Sequence, residues 1–311
     1  MATTYTKQQA RALCAKCLEA KGLDEAASVL ESEAEHLLAE IETRGLRTEK
    51  SGELAGIDWV RYLQKLARGL RAGRAAFKVF AKGNSKLPFY SYSELPEFTC
   101  PGAGECLKFC YSFTAWRYPA AFMRQLQNTL FMRFKRSVIA EAFRLIPLAA
   151  GEGRVTLRLY VDGDFRDMTT LAFWMSMLKQ RPEVQCYGYS KSWKLFESWE
   201  KQGLPFPSNY TLNLSSGSRY AQDRELIRVV KGLACTRGEF VAVKAPGKFA
   251  KGFARFADKG YHAAVRTAGR KFIESPRVFS CPGQCGSCLP SGKHACGQRD
   301  FLVTIAIAEH N

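Results

Sequence analysis

Three cysteines, Cys100, Cys106 and Cys110, fall within eleven positions of EFTCPGAGECLKFCY, spaced C-x5-C-x3-C. A second group, Cys281, Cys285, Cys288 and Cys296, occupies SCPGQCGSCLPSGKHACG near the other end. Both open with Cys-Pro-Gly, and together they hold seven of the eleven cysteines. Turns rich in Gly and Pro supply the bends that bring thiolates to fixed angles around a soft metal. The competing chemistry is disulfide bridging, which needs an oxidising compartment. The first twenty residues, MATTYTKQQARALCAKCLEA, show no apolar stretch and no cleavage site. We therefore expect a cytoplasmic protein with reduced thiols, whose clustered cysteines are metal ligands.

Counting ligands divides the two groups. Cys281, Cys285, Cys288 and Cys296 supply four thiolates, enough for a tetrahedral zinc or a four-iron cluster, and His294 is a further possible ligand. Cys100, Cys106 and Cys110 supply three. Either one iron of a cluster stays open there, or a fourth ligand comes from the distant group. Structural zinc sites usually pair C-x2-C with C-x2-C, and neither group has two such pairs. A 4Fe-4S cluster is the expected cofactor, with Zn²⁺ as the alternative. His36, His262 and His310 have no neighbouring partner in sequence and read as incidental. Cys14 and Cys17 sit in a helix-like run that lacks a metal knuckle's turn, so they read as packing.

These groups must be positioned by the rest of the chain, which has 311 residues, 46% of them hydrophobic and 12% aromatic. That is ample for a core, and no uninterrupted apolar run approaches membrane-spanning length. Residues 5 to 46 read as acidic helices, with a glycine stop at 45. The following stretch inverts the sign: Arg61, Lys65, Arg68, Arg71, Arg74, Lys78, Lys82 and Lys86 run without an acid. The spacing of Leu63, Leu66, Leu70 and Phe77 makes it an amphipathic helix with a basic face suited to phosphates. GNSKLP, at 83 to 88, reads as a linker. We expect a helical region over 1–84 and an α/β iron–sulfur domain over 85–311.

After the first cysteine group the chain reads as one or two long helices around Pro119. From residue 154 strands and helices alternate: VTLRLYVDGDF, DMTTLAFWMSMLKQ with Asp167 as N-cap, VQCYGYSKSW, KLFESWEKQG, YTLNLSSGS, AQDRELIRVVKGL, then FVAVKA and HAAVRTAG as short strands. Alternation at these lengths implies an α/β fold with a parallel sheet, partly barrel-like or open. Working residues in such sheets lie beyond the carboxyl ends of the strands. Polar residues stand at those ends in succession: Asp162 and Asp164, then Ser190 and Lys191, then Ser215, Ser216 and Ser218. A shared pocket explains three successive clusters. Asp162, Asp164 and Lys191 are the candidate catalytic residues; Ser190, Ser215 and Ser216 are candidates for holding a cofactor.

CPGAGECLKFCYS, LRLYVDGDF and YGYSKSW, with the late CPGQCGSC, together resemble the phage and plasmid "gene product 88" family, over roughly residues 85 to 310. The resemblance implies a mobile-element origin and no particular reaction. A looser similarity runs to radical-SAM enzymes, with Cys100, Cys106, Cys110 and Gly163-Asp164 in comparable positions and C-x5-C-x3-C replacing C-x3-C-x2-C.

The charge balance, 46 basic against 29 acidic residues for a net +17, draws polyanions. The expected function is that of a plasmid or phage iron–sulfur protein that binds nucleic acid, DNA ahead of RNA, with a structural or redox-sensing cluster and no membrane partner. Two enzymatic alternatives stand beside it. One is a radical-SAM-like enzyme with an open iron. The other is a nuclease in which Asp162 and Asp164 hold Mg²⁺ and Lys191 steadies the phosphate. No Walker loop and no paired nickase histidines occur, which removes those two classes.

Overall fold

The computed structural model describes residues 5–44, 52–82, 87–149, 151, 153–249, 252–270, 277–283, 296–298 and 303–309. The chain divides into two compact units that are not consecutive in sequence. One comprises residues 1–80, 93–96 and 111–145; the other comprises 81–92, 97–110 and 146–311.

The first unit is helical: α1 (Lys7–Glu19), α2 (Leu23–Arg44), α3 (Gly52–Arg71), α4 (Ser112–Ala115), α5 (Pro119–Phe134) and α6 (Arg136–Arg144). Two of the starts have a clear local cause. Thr6 caps α1 in a capping box with Gln9, and Pro119 opens α5, where its missing N–H costs nothing. Cys14 and Cys17 are fully buried in α1, and burial pushes the Cys17 thiol up to about 12. Trp59 of α3 stacks on Tyr5 and tilts against Phe122 of α5.

Helix α5 is buried from Phe122 to Met132 apart from Arg124, polar residues included. Its amides act as clamps. Gln127 Oε1 accepts from the N–H groups of Ala76 and Phe77 (2.7 and 2.8 Å), and Asn128 Nδ2 donates to the carbonyls of Val79 and Ser93 (both 3.0 Å). Buried amides with their bonds made fix irregular chain at little net cost. The basic face on α3 exists, but two of its cations are engaged: Arg61 lies 3.8 Å from Asp58, and Arg71 pairs with Glu31.

The second unit carries an eight-stranded sheet: β1 (Ala81–Lys82), β2 (Tyr90–Ser91), β3 (Val155–Leu159), β4 (Val184–Ser190), β5 (Tyr210–Ser215), β6 (Thr236–Val243), β7 (Val278–Ser280) and β8 (Thr304–Ala308). Helices α7 (Met168–Gln180), α8 (Trp193–Lys201), α9 (Arg224–Gly232) and α10 (Lys259–Arg270) alternate with the strands. The order is β1-β2-β3-β4-β5-β6-β8-β7, with only the β1–β2 pair antiparallel. The sheet is open. From β3 to β6 every crossover steps to the next strand in the same direction, so right-handed connections put α7, α8 and α9 on one face. On that face Phe196 of α8 stacks on Tyr210, and Tyr261 and Val265 of α10 join Val241, Val278 and Ala306. The opposite face carries Tyr187 and Tyr189 of β4, Phe240, Ile305 and Phe279, with Cys296 and Cys281 among them.

HAAVRTAG, expected as a strand, is part of α10. Tyr261, Val265 and Ala268 recur at helical spacing, and Asp258 accepts from the N–H groups of Gly260 and Tyr261 at its start. The glycine stop at 45 lies outside the described residues. Among the described residues no helix is long and apolar enough to cross a membrane.

Candidate metal centre

The segment from Glu97 to Cys110 leaves the carboxyl end of β2 and lies across the carboxyl ends of β4 and β5. Its backbone is tied down at three points. Arg219 N donates to Gly102 O (2.9 Å), while Gly104 N and Cys106 N both donate to Gly217 O (3.0 and 3.3 Å). Three glycines make this approach possible. A Cβ on Gly102 would fall on the Lys191 carbonyl, and one on Gly104 would come within 2.7 Å of Arg219 N. Gly217 has φ of +76°, and its Cβ would lie 2.8 Å from that of Cys106.

The D-G-D turn anchors the loop from beneath. Asp164 is 3% exposed. Its Oδ1 accepts from Phe165 N (2.8 Å) and Ser190 Oγ (2.7 Å), its Oδ2 accepts from Lys191 N (2.7 Å), and its own N–H donates to Thr99 Oγ1 (3.3 Å). Burial pushes its carboxyl up against the downward pull of those hydrogen bonds. Two non-glycine residues among the described ones have positive φ, Glu97 (+70°) and Tyr160 (+56°). Glu97 opens the loop, and Tyr160 lies two residues before the D-G-D turn. A buried tyrosine in this conformation is costly; Tyr160 is held there by rings of Tyr92, Phe165 and Trp174, whose indole N–H donates to its hydroxyl (3.1 Å).

Lys191 crosses the gap between β4 and β5. Its Nζ donates to Ser215 Oγ (2.8 Å) and its carbonyl accepts from Ser218 Oγ (3.2 Å). Its ammonium is close enough to oppose the rise that burial imposes on the Cys100 and Cys106 thiols. Cys106 lies in a short 3-10 turn, Glu105–Phe109, and Cys110 caps its end. The structure thus brings together Cys100, Cys106, Cys110, Asp164, Ser190, Lys191, Ser215 and Ser218. Asp162 sits half-buried in the same turn, and Ser216 Oγ is engaged by Ala242 N (2.8 Å).

The fit to a metal group rests on donor type rather than on a finished cage. The nine described cysteines are free thiols. Among the described residues no three His, Cys, Asp or Glu side chains already stand in a metal-holding arrangement. Three soft donors on one docked loop, beside a lysine, suit an anionic thiolate cluster that gathers its own ligands on binding.

The second group begins at Cys281, whose sulfur accepts from Gly283 N (3.4 Å). It ends at Cys296, which is buried against Phe89, Tyr187 and Ile305, with its carbonyl held by Asn213 Nδ2 (2.8 Å). Cys285, Cys288 and His294 lie outside the described residues, as does His310. His36 faces Glu40 at 3.7 Å. His262 is better placed than its sequence suggested. Nε2 meets the Phe256 carbonyl (3.0 Å) and Nδ1 meets Ser280 Oγ (2.7 Å). A carbonyl only accepts, so in the neutral ring Nε2 carries the proton and the Ser280 hydroxyl donates to Nδ1. Reading the sequence also missed Thr99, the three glycines and an aromatic run on the sheet face that carries Tyr187, where Arg158 lies over Tyr189 and Tyr189 meets Phe240 edge-on.

No curated protein and no solved structure matches the chain, and nothing in these comparisons supports the looser similarity to radical-SAM enzymes. The family profile described as gene product 88 matches residues 63–288, well over half of the 311 residues, and spans the cysteine loop, the D-G-D turn, Lys191 and the first cysteines of the second group. The chain therefore belongs to the gene product 88 family.

Proposed function

We propose that Cys100, Cys106 and Cys110 hold a 4Fe-4S cluster, and that the protein is a nucleic-acid-binding iron–sulfur protein of a plasmid or phage. One observation carries the reading: three thiols on a single loop are docked at the carboxyl ends of parallel strands beside the Lys191 ammonium. A cluster held by three thiolates is anionic, and a nearby fixed cation offsets that charge and favours the reduced form. The loop's anchoring suits a structural or redox-sensing cluster. When bound, the cluster would supply one-electron chemistry; the protein's part is to hold the thiols and to fix Lys191 through Ser215.

The nuclease alternative fares poorly on geometry. Asp164 would have to offer lone pairs to a divalent cation, yet both of its oxygens accept hydrogen bonds from Phe165, Ser190 and Lys191. We assign Asp164 a positioning role. The net charge of +17 supports the nucleic-acid half of the proposal, duplex DNA ahead of RNA.

Anaerobic purification followed by iron, sulfide and zinc analysis tests the cofactor. The expected result is brown protein with iron and sulfide in equal amounts and a broad absorption that Cys106→Ser removes. Stoichiometric zinc without iron, or protein free of both metals, overturns it. Heparin retention and salt-dependent binding of labelled duplex test the second half.

A further inference from the structure

Most exposed cations of the second unit that flank α8 and α9 are neutralised locally. Lys201 pairs with Glu197 (2.7 Å), Arg228 with Glu225 (2.7 Å), Lys231 with Glu239 (2.9 Å) and Lys194 with Asp223 (3.8 Å). Helix α10 differs. Lys259, Arg266 and Arg270 are exposed and make no ion pair among the described residues. At helical spacing they form one stripe, with Ala263 between them, opposite the buried Tyr261, Val265 and Ala268. The stripe spans about 16 Å at 1.5 Å per residue. The nearby acid, Asp258, is engaged in capping α10.

We infer that this stripe is the surface that docks on the phosphate backbone of nucleic acid. The inference rests on the nucleic-acid half of the reading above and gives it a location, on α10 rather than on the α3 face expected from sequence. An anionic membrane is the other polyanion such a stripe could meet. Interfacial helices, however, carry large apolar side chains beside their cations, and the exposed residues of α10 between the cations are Gly260, Ala263 and Thr267. Unpaired cations also gain more from a phosphate than paired ones, which must first give up their carboxylates.

The test is fluorescence anisotropy of the full-length protein with a labelled duplex and a labelled single strand of the same sequence, titrated across salt. Replacing Lys259, Arg266 and Arg270 together by Gln should flatten the log K against log salt slope by roughly 2 to 3, which at 0.1 M salt is a loss of about a hundredfold or more. Ala263→Glu, which puts an anion into the stripe without removing a cation, should weaken binding in the same direction. Replacing the paired Lys201 and Arg228 by Gln should leave the slope unchanged. Wild-type binding with an unaltered slope in both α10 variants overturns this inference and leaves the nucleic-acid reading standing. Failure of the wild type to bind either strand form overturns that reading itself, and this surface with it. Retention on phosphatidylserine vesicles that requires α10, without α10-dependent nucleic-acid binding, also overturns the inference.

Discussion

Gly102→Ala is the sharpest single test of how the cysteine loop is held. The added methyl would meet the Lys191 carbonyl and the adjoining Ser192 N–H, both backbone, so no side-chain rotation relieves the overlap. The loop has to lift. Lifting breaks the Arg219-to-Gly102 bond and both bonds to the Gly217 carbonyl. At about 1 kcal/mol per backbone hydrogen bond, undocking becomes easier by roughly 3 kcal/mol, which is about a hundredfold in the open population. Native-state hydrogen exchange should show amides of Gly104, Cys106 and Arg219 losing about two orders of magnitude of protection, while β3 to β5 keep theirs. Metal content after anaerobic purification should fall in parallel. Wild-type protection and wild-type metal content in this variant would refute the docking argument.

Three further outcomes follow from local geometry. Gln127→Ala removes the acceptor for the Ala76 and Phe77 N–H groups and the donor to Phe77 O; urea unfolding of the helical unit should show a loss of about 3 kcal/mol, and a loss under 1 kcal/mol would mean water replaces the amide. Asp167 is pulled up by burial, but bonds from Thr169, Thr170 and Arg166 outweigh this and hold it well below the usual carboxylate range. Its contribution is therefore complete above the unfolded value of about 3.9 and is lost as pH falls through the lower folded value. Asp167→Ala should cost about 1 kcal/mol at pH 7, and the gap to wild type should be intact at pH 5 and narrow below pH 4; a gap constant down to pH 3 contradicts the capping role. Gly232→Ala, in a position with open space around it and at the end of α9, should stabilise by roughly 0.5 to 1 kcal/mol in the same denaturation assay; destabilisation would show that the α9 terminus needs glycine.

Much of the α/β half was legible because its period changes at residue 154 and the starts of α7 and α9 carry caps, Asp167 and Asp223. Helix α10 escaped because HAAVRTAG is too short to show its period without Tyr261 and Asp258 on its N-terminal side. The clamps on α5 escaped for a different reason. Gln127 and Asn128 look like solvent-facing residues until segments fifty positions away supply their partners. The gathering of Asp164, Ser190, Lys191 and Ser215 was visible as polar residues at successive strand ends. Their roles were not visible, since Asp164 holds backbone N–H groups rather than substrate. Gly102, Gly104 and Gly217 read as turn-makers, yet what requires them is close contact with loops distant in sequence, Lys191 for Gly102 and the Gly217–Arg219 turn against Gly104 and Cys106.

Strand β8 lies between β6 and β7, although β7 precedes it in the chain. During synthesis β7 and Cys281 therefore emerge with their place in the sheet not yet built, and they wait for the 28 residues that separate Ser280 from Ala308. At ribosomal speeds of about 5 to 20 residues per second, that wait is roughly 1 to 6 s. The backbone bonds that dock the first cysteine loop need no chain beyond Arg219. The two thiol groups thus mature in a fixed order, the central loop first and the Cys281 end last, with the final strand acting as the wedge that seats it.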